Sequence, residues 1–279
     1  MIIQKKLGFI GAGNMAEAFI TGLVDKIFLA SHIQVSDIDT ERLEYLKKTY
    51  AIKTTSDNQA LFQNNDIIIL SIKPQVMKTV LTDIQPSHQK LHRLVISIAA
   101  GIPIKTIETV LYGKLDQTSR QLLPVIRVMP NTPALVQKGM SAFCGNTYAS
   151  ENDIQIVSDI LGEIGKVICV SESQMDDITA VSGSGPAYVF YFVESMIQAA
   201  KELGFSENHA RMLVFQTTKG ALQLLEQPGA CPIKLRKQVT SKGGTTEAAM
   251  SIMYERQVKN SIVDAIQMAK KRAQELSKM

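Results

Sequence analysis

The chain has 279 residues, of which 45% are apolar and 20% charged, and carries a net charge of +4. That is globular composition and room for two domains of ordinary size. The charge is mild and no Lys/Arg run is interleaved with aromatics, which argues against a nucleic-acid footprint. No uncharged apolar stretch reaches the ~18 residues of a membrane helix.

The first informative stretch is 7–20, LGFIGAGNMAEAFI. Apolar Leu7, Phe9 and Ile10 predict a strand, Gly11, Gly13 and Ala16 stand in G-x-G-x-x-A spacing, and a helical pattern runs on to Val24. One glycine makes the turn, one lets backbone approach a pyrophosphate, and the small third residue lets helix and strand pack closely. The helix N-terminus then offers free N–H groups to phosphate. Residues 33–36 read as the next strand, ending at Asp37, where an acidic residue usually meets the adenosine ribose. Asp37 favours NAD, Ser36 could donate to a 2′-phosphate, and Arg42 lies nearby, so the cofactor choice stays open. Asp37 and Asp39 also suit the turn and cap of a helix over 40–49. After a short helix opened by Asp57 and Asn58, DIIILSI (66–72) predicts a strand buried on both faces. It ends at Lys73-Pro74, before a helix over 75–84.

LVISIA (94–99) is a further buried strand, closed by Ala100-Gly101 and a Pro103-initiated helix; its small terminal residues leave room for a flat ring. Residues 125–129 form another strand, running into Pro130-Asn131-Thr132-Pro133, a stiff loop suited to holding a carboxamide. Strands over 140–144 and 166–170 flank a helix over 151–161. Beyond Ser173 only helical patterning remains, which places a domain boundary near 170 and divides the chain into 1–170 and 171–279.

In the second part, SGSGP (182–186) launches a helix with six successive apolar or aromatic residues from Tyr188 to Val193. Apolar residues right round a helix require burial on all sides, so a subunit interface is expected. Ser206 caps the next helix. TSKGGTTE (240–247) then combines two glycines with two threonines at a helix mouth, an anion site for a small carboxylate. A basic amphipathic outer helix runs from about 257 to the end. Cys144, Cys169 and Cys231 lack zinc spacing and suit a reducing compartment. His88 and His92 share a helix-face spacing without further ligands, so no metal is expected. The N-terminal run, broken by Gln4, Lys5 and Lys6, lacks a signal-peptide layout, and the cytoplasm is the expected location.

GFIGAGNMAEA, SIKPQ, SIAAGI, RVMPNTPA, VSGSGPAY and TSKGGTTEAA together resemble, collinearly over nearly the whole chain, the pyrroline-5-carboxylate reductase family. The resemblance implies an α/β Rossmann-like N-terminal domain followed by an all-α C-terminal dimerisation domain, in a homodimer that some members build into larger rings. It implies reduction of 1-pyrroline-5-carboxylate to proline by NADPH or NADH. By the same resemblance Gly11, Ala12, Gly13, Asn14 and Met15 cradle the pyrophosphate, and Ser36 and Asn58 meet the adenosine end. Ser71, Lys73 and Pro74 line the ribose side, and Ala99 and Asn131 lie near the nicotinamide, with Glu172 and Gln238 as weaker assignments near the same cleft. Ser241, Gly243, Gly244, Thr245 and Thr246 hold the substrate carboxylate and ring nitrogen, Thr246 being the candidate to assist protonation. Lys242 departs from the family's usual Pro. A β-hydroxyacid dehydrogenase would need Lys where Val189 stands; a non-catalytic nucleotide sensor would have no use for the 243–246 loop.

Overall fold

The computed structural model describes residues 2–86 and 91–277. The apolar runs become strands β1 (Leu7–Ile10), β2 (Ile33–Ser36), β3 (Lys53–Thr55), β4 (Ile67–Leu70), β5 (Leu94–Ser97), β6 (Val125–Met129), β7 (Gly139–Gly145) and β8 (Gly165–Cys169). They form one sheet in the order β3-β2-β1-β4-β5-β6-β7-β8. β1 to β6 are parallel, β7 runs antiparallel to β6, and β8 is parallel to β7. Strand order reverses between β1 and β4. In open α/β sheets the crevice outside the carboxyl ends at such a reversal is where ligands bind.

Helices α1 (Asn14–Leu23), α2 (Thr40–Tyr50), α3 (Asn58–Asn64), α4 (Met77–Asp83), α5 (Ile104–Leu111), α6 (Gln117–Gln121) and α7 (Glu151–Gly162) cover the sheet. Every residue of β1 and β4 is buried, because successive side chains enter different cores. Leu7, Phe9, Ile67 and Ile69 join a cluster with Leu46 of α2 and Ile160 of α7. Ile10, Ile68 and Leu70 join another with Leu61 of α3 and Ile107 of α5. A strand with both faces covered has no polar alternation to show. The helix starts follow their caps: Asp39 accepts from Arg42 N–H, Asp57 from Ala60 N–H, and Ser150 and Asp153 form a reciprocal capping box. β3 and α6 had no apolar pattern to announce them. The helix read over 75–84 begins as a 3₁₀ turn, Pro74–Val76, before α4.

The alternation of strand and helix stops with β8, yet the compact unit continues to Ser184. α8 (Met175–Ile178) and the π-helical turn Thr179–Gly183 bury Met175 and Ala180 in it. Contacts divide the chain into residues 1–184 with 269–279, and residues 185–268. The second unit holds α9 (Gly185–Glu202), α10 (Glu207–Leu225), α11 (Pro232–Gln238), α12 (Thr245–Glu255) and the start of α13 (Val258–Leu276). The end of α13 belongs to the first unit: Lys270 pairs with Asp177 at 2.7 Å and Ser277 Oγ donates to Asp176 at 3.3 Å. In the second unit only Ala210 and Val214 are buried, whereas Phe190 is 64% and Tyr191 72% exposed. Over 188–193 α9 is apolar all round, yet in one chain α10 packs on one side of it and leaves Phe190 and Tyr191 exposed.

Candidate functional site

The crevice at the reversal is built first by Gly11. It adopts φ +101°, and a Cβ there would lie 2.5 Å from the Ser71 carbonyl oxygen. Only glycine relaxes in that conformation, so the chain turns sharply out of β1 and presses against the end of β4. Ser71 fastens the turn, its hydroxyl donating to Gly11 O at 2.6 Å. Ala12 is gripped at both ends: its N–H donates to Asp37 Oδ2 at 2.6 Å, and its carbonyl accepts from Arg42 Nε at 2.8 Å. Gly13 then has open space where a Cβ would stand and N-caps α1 with no side-chain cap. The first turn of α1 therefore borders an open hollow with the positive end of the helix dipole behind it. That hollow fits a pyrophosphate.

Asn14, Met15, Lys73, Pro74, Ala99 and Asn131 border the same cleft as Gly13 and Ser71, a space of about 420 Å³. Ile98, Ala100, Met129, Pro130 and Thr132 line it as well. Ile72, Ile98 and Met129 were not singled out from the sequence; their position at strand ends is the signal that could have found them. Gly183 also lines the cleft, and a Cβ on it would collide with the Met129 methyl.

Several side chains carry structural work in place of the contacts expected of them. Ser36 is fully buried and its hydroxyl donates to Asn58 Oδ1 at 2.7 Å, so it offers no hydroxyl to a phosphate. Asp39 caps α2, as its spacing before that helix predicts. Asn131 closes its loop with both ends of its amide, Nδ2 donating to Ser182 O at 3.0 Å and Oδ1 accepting from Met140 N–H at 2.9 Å. Glu172 does not border the cleft: it accepts from Ile104 N–H at 2.7 Å, capping α5, and lies 3.4 Å from the buried Arg127. His88 lies outside the described residues; His92 pairs with Asp153 at 3.3 Å. Among the described residues no cluster of His, Cys, Asp or Glu could hold a metal, and no helix is long and apolar enough to cross a membrane.

In the second unit, Gly243 turns the chain at φ +72° and Gly244 N-caps α12 without a side-chain cap. Gly243 N–H donates to Glu247 Oε2 at 2.7 Å, and Gly244 N–H to Ser241 O at 3.1 Å. Thr245 and Thr246 open the helix, where first-turn N–H groups have no intrahelical acceptor. The loop thus keeps donors for an anion, but one is already taken by a carboxylate of the chain itself, which the sequence reading missed. Gln238, at the end of α11, and Lys242 are exposed.

A reversal-point crevice with an uncapped helix N-terminus, joined to a helical unit that leaves its apolar surface bare, defines a Rossmann-type dinucleotide-binding protein with a helical dimerisation partner domain. Residues 172–276 match the family model for pyrroline-5-carboxylate reductase dimerisation, and residues 6–101 the model for NADP oxidoreductase, coenzyme F420-dependent. Pyrroline-5-carboxylate reductase 2 of Bacillus subtilis is 40% identical, covering 98% of this chain and 95% of that protein. The solved pyrroline-5-carboxylate reductase of Coxiella burnetii is 33% identical with a TM-score of 0.88, covering 99% of this chain and 100% of that one. The Plasmodium falciparum pyrroline carboxylate reductase, solved with NADP bound, is 29% identical with a TM-score of 0.87 over 99% of this chain and 100% of that one. The chain belongs to the pyrroline-5-carboxylate reductase family.

Proposed function

We propose that this chain reduces 1-pyrroline-5-carboxylate to L-proline with NADPH or NADH, as a homodimer and as the last step of proline synthesis. Family membership across nearly the full length carries the reading. The uncapped α1 N-terminus and the 420 Å³ cleft support it independently. The bound nicotinamide would supply a hydride. The chain supplies position: a protonated cyclic imine is already electrophilic, and orientation matters more than a strong acid or base. Gly11 to Met15 would hold the pyrophosphate, Ser71, Lys73 and Pro74 the ribose side, and Ala99 with the 130–132 backbone the ring. Asn131 would fix the shape of its loop through its bonds to Ser182 and Met140. At the mouth of α12, Ser241, Gly244, Thr245 and Thr246 would take the carboxylate, with Thr246 Oγ1 donating to or accepting from the ring nitrogen.

The exposed apolar residues of α9 and α10 support the homodimer, and the dimerisation model matched over 172–276 supports 171–279 as the stretch that serves it, although its two ends pack with the first unit. We place the protein in the cytoplasm on its three free thiols, and we leave room for an assembly of dimers on the extent of exposed apolar surface. Mixing purified protein with 1-pyrroline-5-carboxylate and each reduced nucleotide, and following loss of nicotinamide absorbance, tests the reaction; no oxidation with either would defeat it. Thr246→Ala is expected to raise the substrate KM about tenfold or more, the scale of one lost hydrogen bond to a charged group, with nucleotide KM unmoved. Unchanged substrate kinetics would remove Thr246 from the site.

A further inference from the structure

Asp37 and Arg42 hold the N–H and the carbonyl of the same residue, Ala12. The two side chains therefore border one small region, the end of β2, where the adenosine ribose of a bound dinucleotide is expected. Their states differ. Asp37 accepts from Ala12 and Asp39 N–H groups, and a carboxylate with four lone-pair sites can still accept from ribose hydroxyls. Arg42 is occupied: beyond its bond to Ala12 it donates to Glu17, and its guanidinium lies 5.0 Å from the Tyr45 ring centre. Glu17 is held in turn by the hydroxyls of Tyr45 and Tyr50, each at 3.0 Å. Both charged side chains are largely covered, at 24% and 19% exposure. Burial pushes the Glu17 carboxyl up, but the bonds from Arg42, Tyr50 and Tyr45 outweigh it and hold the group below its ordinary value, so it is anionic at neutral pH.

We infer that Glu17 sets nucleotide preference: by neutralising and fixing Arg42, it keeps that guanidinium from a 2′-phosphate and favours the dinucleotide with a free 2′-hydroxyl. This rests on the cofactor reading above and deepens it. A 2′-phosphate arriving beside Asp37 meets a carboxylate, finds the Ser36 hydroxyl committed to Asn58, and must draw Arg42 away from Glu17 to be neutralised. A 2′-hydroxyl needs no such rearrangement. Arginine suits phosphate because its planar fork can bond it bidentately, and Glu17 occupies part of that fork.

Glu17→Gln is close in shape and keeps an acceptor for Tyr45 and Tyr50 while releasing the charge of Arg42. Calorimetric titration with 2′,5′-ADP and 5′-AMP reads the 2′-phosphate alone, without turnover. We expect the affinity ratio for 2′,5′-ADP over 5′-AMP to rise about tenfold in Glu17→Gln, with the NADPH-to-NADH ratio of kcat/KM rising alongside. The gain must vanish in Glu17→Gln/Arg42→Gln. If Glu17→Gln does not fold, Glu17→Asp, which withdraws the carboxylate by one methylene, must shift the ratio in the same direction. A ratio unchanged within about twofold, or a gain that survives loss of Arg42, overturns the inference; a Glu17 that only braces the fold would weaken both nucleotides equally. Failure of the wild-type protein to bind either nucleotide would instead defeat the cofactor reading.

Discussion

Replacing Glu172 separates two roles for one carboxylate. The family resemblance places it beside the cofactor, whereas the structure spends it on Ile104 N–H at 2.7 Å and on Arg127 at 3.4 Å. Arg127 projects from β6 with its side chain 5% exposed, and its other counter-ion, Asp176, lies farther away at 3.6 Å. Glu172→Ala removes a charge-assisted hydrogen bond, roughly 1.5–3 kcal/mol. The ion-pair part is smaller than the ~3–5 kcal/mol of a broken buried pair, because Glu172 is 39% exposed and Asp176 remains. The total is about 2–3 kcal/mol. Glu172→Gln keeps an acceptor for Ile104 and loses only the charge, costing about 1 kcal/mol. At roughly 2–4 °C per kcal/mol for a unit of this size, thermal unfolding should show the alanine variant melting distinctly lower than the glutamine variant, and both below wild type. Calorimetric titration with NADP⁺ should give dissociation constants within about twofold of wild type for both. An unchanged melting temperature with nucleotide affinity lost tenfold would make Glu172 a nucleotide contact and refute the structural role.

The glycine loop predicts a contrast between neighbours. Gly11→Ala meets both positive φ and the Ser71 carbonyl, so it should destabilise the protein by about 1–3 kcal/mol in urea unfolding. Gly13→Val enters open space at φ −67° and should leave unfolding almost unmoved while cutting nucleotide affinity tenfold or more by filling the pyrophosphate hollow. Equal effects at the two positions would contradict the cradle. Glu247→Gln removes a negative charge from the mouth of α12, where a charge is worth about 0.3–1 kcal/mol; the substrate KM should fall about two- to fivefold, and a rise would show that the carboxylate assists binding. Burial pushes the Cys144 thiol up to about 12, so native alkylation at pH 8 should label exposed Cys169 and spare Cys144. Because only the unfolded chain ionises Cys144 above its ordinary value of 9.0, stability from this group is complete below that pH and declines as pH rises from 9 toward 12. Cys144→Ala should flatten that decline.

What the chain makes legible depends on whether a residue's task is local. The Gly11 turn, the Asp39 and Ser206 caps, and the unbroken apolar run of β4 are settled by neighbours within a few positions, and sequence alone places them. The Ala12 clamp is not: Asp37 and Arg42 reach it only because β2 pairs with β1, Ile10 opposite Ser36, and both residues had been read for the ligand. Asn131, which lines the cleft, and Glu172, which does not, repeat the pattern: their hydrogen bonds close distant loops, Met140 and Ser182 in one case, Ile104 and Arg127 in the other. Buried polar groups must find partners, and the nearest partner outcompetes a ligand that comes and goes. Glu247 is the instructive exception. It lies four residues from Gly243 and could have been foreseen, since a carboxylate in a first helical turn commonly reaches back to the N–H groups ahead of it. It holds its N–H from an exposed position, where a competing carboxylate can displace it at small cost. On the proposed reading of the 241–246 loop, Glu247 competes with the substrate carboxylate for that N–H, so Glu247→Gln should change substrate affinity with little change in fold.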